Sequence, residues 1–136
     1  MQSQSSFLSA SVLVAGGGAA GSWLRFVTGR IWSGAIGPVA ATAFPWATLT
    51  VNVAGSIAMG VLAGWLARHG TGGEHWRLLL GVGVLGGYTT FSSFALDFAV
   101  LVERGAIVLA MGYVAATLIA GLGGLFAGLM LTRVVT

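Results

Sequence analysis

Residues 83–94 read Gly-Val-Leu-Gly-Gly-Tyr-Thr-Thr-Phe-Ser-Ser-Phe, inside an apolar stretch, 76–101, long enough to cross a membrane. Gly86 and Gly87 are poor helix formers, and Thr89 and Thr90 favour helix ends over helix interiors. Four such residues in five positions predict a break in the spanning helix, its first half ending at Gly86. Lipid offers bare backbone no hydrogen-bond partner, so an interruption at that depth must be covered by protein or meet a polar cavity. Interrupted membrane helices are where ion sites are built. The stretch therefore points to a small membrane protein that handles an ion.

The rest of the chain agrees. Of 136 residues, 57% are hydrophobic and 7% charged. A soluble domain carries about 25% charged residues, so this chain could not cover itself with polar surface. Spans of about 20 residues fit four times, at 7–27, 46–67, 76–101 and 106–131. The whole of 1–136 reads as a single all-α, four-helix transmembrane domain whose third helix is broken near its middle. The opening Met-Gln-Ser-Gln-Ser-Ser-Phe lacks the positive region and cleavage site of a secretory signal, so the first span is expected to be retained. The connection 29–45 is expected as a loop with Ile31 and Trp32 in the interface, 69–75 as a flexible turn, and 103–105 as a tight one. Trp23, Trp32, Trp46, Trp65 and Trp76 fall near span ends, where indole rings favour the membrane interface. Without cysteine there are neither disulfides nor thiolate metal sites. The net charge of +3 comes from scattered arginines rather than a nucleic-acid patch.

Those arginines carry topology. With four spans, Arg68, Arg77 and Arg133 lie on the side of the termini, and Arg25, Arg30 and Arg104 on the other. Orientation follows the Lys/Arg imbalance between faces, and three against three leaves none. The chain is expected to insert both ways up, which allows an antiparallel, dual-topology homodimer. Glycines four apart, Gly17/Gly21, Gly60/Gly64, Gly83/Gly87 and Gly124/Gly128, are spaced to let helix backbones approach closely.

Several polar and aromatic residues within the spans could meet an ion. A half-helix ending at Gly86 leaves carbonyls free, and such oxygens suit a hard cation; Thr hydroxyls filling a kink would explain the same residues. Phe91 and Phe94 are three apart and share a helix face. Their positive ring edges can favour a small anion, although a Phe pair at this spacing also serves packing. Asn52, one turn after Thr48, is costly in an apolar helix unless it finds a partner. Its amide can donate two hydrogen bonds to an anion, or bridge two helices. Tyr113, Thr117 and Gly121 step by four along the last span, giving a hydroxyl stripe that lapses at Gly121. Arg25 could snorkel to headgroups or form an electropositive vestibule.

The break followed by Phe91 and Phe94, with Ser92 and Ser93 between them, resembles the central signature of the Fluc (CrcB-type) fluoride channels. The resemblance covers most of the chain. It implies passive, fluoride-selective export through two pores of an antiparallel dimer in a bacterial inner membrane, relieving fluoride toxicity. It also implies a structural Na+ at the dimer interface, held by main-chain oxygens of Gly86 and Thr89. Phe91 and Phe94 from both subunits would face the pores, with Ser92 and Ser93 beside them. Asn52, after the lead-in Ala47-Thr48-Leu49-Thr50-Val51, would face the ion, and Arg25 the vestibule. Tyr113 and Thr117 would form the polar track, with Gly121 standing where a serine is expected.

Nothing in the chain supports enzymatic chemistry: the glycine-rich run 16–21 lies mid-span, and His69 and His75 lack a carboxylate partner to hold a metal. A small dual-topology multidrug exporter would need an embedded carboxylate. Glu74 and Glu103 lie in connections and only Asp97, with no assigned role, lies late in a span. A non-conducting assembly subunit is the other alternative.

Overall fold

The computed structural model describes residues 4–134, and all regular structure among them is helical. The order is α1 (Gln4–Ile36), α2 (Pro38–Ala43), α3 (Trp46–His69), a 3₁₀ turn (Gly70–Gly73), α4 (Glu74–Trp76), a π-helical segment (Arg77–Leu85), α5 (Gly86–Tyr88), α6 (Phe91–Glu103) and α7 (Ile107–Val134). Four stretches are long and apolar enough to cross a membrane: Ser6–Ile36, Trp46–His69, Glu74–Glu103 and Ile107–Val134.

The second and fourth begin within a residue of the expected spans and run on for a further turn or less. The first does not. α1 continues through Gly29 and Gly34 to Ile36, where a loop was expected. Tertiary contacts hold the added turns: Trp32 stacks on Trp46 at 5.5 Å between ring centroids, and Trp32 Nε1 donates to Thr50 Oγ1 at 3.0 Å. A glycine costs a helix only about 1 kcal/mol, so these contacts override it. The chain then turns at Gly37, whose φ of +83° suits only glycine comfortably, and Pro38 opens α2 at the first helical position.

Glycine spacing sets the pairing of helices. α3 packs along α7, where a Cβ on Gly60 would strike Leu125 O and one on Gly128 would strike Ile57 O. Likewise α1 lies against the π-helical segment and α5. A Cβ on Gly17 would meet Leu79 O, and one on Gly21 would meet Val84 O and, at 2.8 Å, Tyr88 N. Backbones this close exchange dispersion and Cα–H contacts, which drive association where lipid removes the hydrophobic term. The π-helical turns were not expected from the sequence. Their wider winding, with Gly86 N–H reaching back to Gly81 O, lies on the stretch that α1 presses against.

Helix persists through Gly86 and Gly87 to Tyr88, two residues beyond the expected end, and the backbone is extended at Thr89 (φ −82°, ψ 158°) and Thr90 (φ −154°, ψ 122°). Gly83 and Gly87 stay helical because their missing side chains admit Gly17 and Gly18 of α1. Thr90 leaves the helix because it caps the next one: its Oγ1 accepts Ser93 N–H at 3.1 Å. Large apolar side chains point outward along the whole bundle, among them Phe7, Phe26, Phe91, Ile119 and Phe126. A bilayer or a partner chain must cover them.

Candidate functional site

Thr90 is the pivot. It is buried, 8% exposed, and lines two cavities, one on each side of the extended pair. One, of about 380 Å³, is bordered by Arg25, Thr48, Ser93 and Ser22. The other, of about 340 Å³, is bordered by Asn52, Ser56, Thr89, Phe91, Phe94 and Thr117. Backbone at the interruption thus meets two cavities that carry polar groups on their borders, as the lack of water in lipid demands.

Asn52 holds the pivot in place. Its Oδ1 accepts Thr90 N–H at 2.8 Å and its Nδ2 donates to Thr90 O at 2.9 Å, so one side chain satisfies both peptide groups of an extended residue. These bonds use one of the amide's two N–H groups. Asn52 therefore bridges α3 to the interruption, one of the two roles weighed from the sequence, and also lines the ring-bordered cavity.

Turning Thr90 N–H onto Asn52 takes from Gly86 O the donor that a continuing helix would give it. Thr89 O is met by Arg25 Nη1 at 3.4 Å, at the long end of hydrogen-bonding range. Thr89 Oγ1 turns back to Leu85 O at 2.9 Å. Two neutral carbonyl oxygens three residues apart, Gly86 O and Thr89 O, are by their chemistry a donor pair that suits a hard cation such as Na+.

Phe91 and Phe94 tilt against each other with centroids 5.7 Å apart. Phe91 is 80% exposed, whereas Phe94 is half-buried and leans on Tyr113 at 5.2 Å. Ser92 is exposed, its hydroxyl 3.4 Å from Thr90 Oγ1. Thr117 Oγ1 is buried with no hydrogen-bond partner and borders the same cavity as the rings. A buried hydroxyl without a partner is costly.

Tyr113 sits elsewhere. Its ring is fully buried with Leu101 and Ala110, against Phe44 and Phe94, and it borders neither cavity. Its hydroxyl donates to Asp97 Oδ2 at 3.2 Å. So the expected residues divide: Arg25, Thr48 and Ser93 face one cavity, Asn52, Phe91, Phe94 and Thr117 the other, and Tyr113 backs the ring of Phe94. Thr90, Asp97 and Ser56 complete the arrangement and carried no assigned role in the sequence. Ser56 lies one helical turn after Asn52, a spacing that could have flagged it.

The family model for CrcB-like protein, Camphor Resistance (CrcB), matches residues 12–129. The "Fluoride-specific ion channel FluC" of Novosphingobium aromaticivorans is 56% identical over 126 residues, 93% of this chain and 98% of the relative. The protein of the same name from Rhodospirillum centenum is 56% identical over 120 residues, 88% and 92% of the two chains. That of Erythrobacter litoralis is 49% identical over 127 residues, 93% of each. Four apolar helices of membrane length and these matches make the chain a multi-pass membrane protein.

Proposed function

The chain belongs to the CrcB-like protein family, and from that premise we propose that it is a fluoride-selective channel, which lets fluoride leave the cell passively and so relieves its toxicity. The names of its relatives support the ion. The observation that carries the mechanism is the cavity beside Thr90: a buried, unpartnered hydroxyl on Thr117, an Asn52 amide with an N–H to spare, and the Phe91–Phe94 pair, with no charged side chain on its border. Neutral donors and positive ring edges replace the hydration of a small anion without holding it as a fixed cation would. Arg25 and Ser93, across Thr90, form the vestibule that gathers the anion.

The working unit in this reading is an antiparallel homodimer in a bacterial inner membrane, with two equivalent pores and the exposed Phe91 of each copy turned towards the other. The arginine balance supports it, as does the apolar surface that a single chain leaves uncovered. A sodium ion bound by main-chain oxygens of Gly86 and Thr89 from both copies would pin the two interruptions together. The multidrug-exporter alternative finds no support, because Asp97 accepts a hydrogen bond from a core tyrosine.

The deciding experiment is fluoride release from liposomes holding the purified protein, followed with a fluoride electrode beside a chloride assay. Fast release of fluoride alone, with no proton gradient imposed, is expected. No release from a folded dimer would sink the channel reading. Reporters fused to the C-terminus should in turn give signal on both faces of the membrane.

A further inference from the structure

Ser56 is the one hydroxyl bordering the ring-lined cavity that comes from neither α7 nor the interrupted segment. It lies one turn beyond Asn52 on α3, and its Oγ donates to Asn52 O at 2.7 Å. Facing it is Gly121: a Cβ built there would sit 3.7 Å from Ser56 Oγ, in ordinary contact. Gly121 is the rung at which the stripe of Tyr113 and Thr117 lacks a hydroxyl. The remaining α7 residues on the cavity are Leu118 and Leu125, so past Thr117 that helix offers only hydrocarbon.

We propose that Ser56 supplies the missing rung from the opposite helix, so that the polar track crosses from Thr117 on α7 to Ser56 on α3, and Ser56 touches the permeating fluoride. This rests on the channel reading above. The hydroxyl is free to do so. Asn52 O, which it now contacts, is an interior α-helical carbonyl whose own ladder partner is the Ser56 amide N–H. When the hydroxyl turns to an anion, no acceptor is stranded. With Thr117 Oγ1 unpartnered and one Asn52 N–H uncommitted, three neutral donors then border one small space. An anion that sheds water needs donors in succession, and a step without one raises the barrier for the whole path.

The test is to move the hydroxyl back across the gap. Fluoride release from liposomes is compared for the unaltered protein, Ser56→Ala, Ser56→Thr, Gly121→Ser, and the double variant Ser56→Ala with Gly121→Ser. Ser56→Ala should slow release by about tenfold or more. Ser56→Thr should retain most of it, because the hydroxyl stays. Gly121→Ser fits the space, and in the double variant it should restore most of the lost rate. Elution profile and thermal unfolding of each variant separate folding from conduction. Ser56→Ala at the unaltered rate would overturn the inference. So would a well-folded double variant no faster than Ser56→Ala, or a Ser56→Thr as slow as Ser56→Ala. Release by the unaltered protein is the control on the parent reading: if it fails there, the channel itself is lost, whereas failures confined to the variants remove only Ser56.

Discussion

Replacing Asn52 by leucine, similar in volume, strips both hydrogen bonds from the Thr90 peptide while leaving the helix able to form. The bonds are 2.8 and 2.9 Å long, and Thr90 is 8% exposed, so the orphaned groups have little access to water. A buried polar group without a partner costs about 1–3 kcal/mol, which for two groups gives about 2–6 kcal/mol. Side-chain bonds between membrane helices average only about 0.6 kcal/mol each, because the partners re-pair, and on that basis the loss is about 1.2 kcal/mol. The extended backbone decides between these figures. Re-pairing Thr90 N–H with Gly86 O would mean rebuilding the helix through the interruption and giving up the Ser93 cap, so the loss should fall in the upper range. Reversible unfolding in mixed micelles, by titration with a denaturing detergent, would measure it. A loss of about 1.2 kcal/mol or less would refute the reasoning and mean that the Thr90 peptide finds other partners.

Gly60→Ala should destabilise the fold by about 1–3 kcal/mol, because its Cβ runs into Leu125 O, whereas Gly112→Ala, with open space around it, should be neutral or stabilise; thermal unfolding separates them. Tyr113→Phe keeps the ring against Phe44 and Phe94 but leaves Asp97 without its donor, so about 1–3 kcal/mol should be lost with the fold intact; wild-type stability would show that Asp97 re-pairs. Phe94→Ile should fold, since a large apolar side chain is retained, and lose most fluoride flux; unaltered flux would remove the ring-edge argument.

Residues close in sequence made part of the site legible. Thr89-Thr90 stood out as poor helix interior, and Phe91 and Phe94 as one face, because both follow from local backbone preference and a three-residue step. The same local logic misplaced the end of the half-helix at Gly86. It weighed glycine's propensity, about 1 kcal/mol, and could not weigh the backbone of α1 resting on Gly83 and Gly87. It ended α1 early for the same reason, blind to Trp32 stacking on Trp46. Tyr113 was read with Thr117 as one stripe along a polar track, yet its ring lies in the core and borders neither cavity, because a stripe on one helix does not say which neighbour faces it.

Composition and four apolar runs of membrane length determined by themselves that the chain lives in a bilayer as a helical bundle, because lipid admits little else. Tertiary structure alone decided that Asn52 clasps Thr90, that Asp97 receives the Tyr113 hydroxyl, and that Ser56 stands opposite Gly121. These pairs lie on different helices, tens of residues apart. Their meeting is set by how closely glycine lets two backbones pack, a distance that no periodicity along one helix encodes.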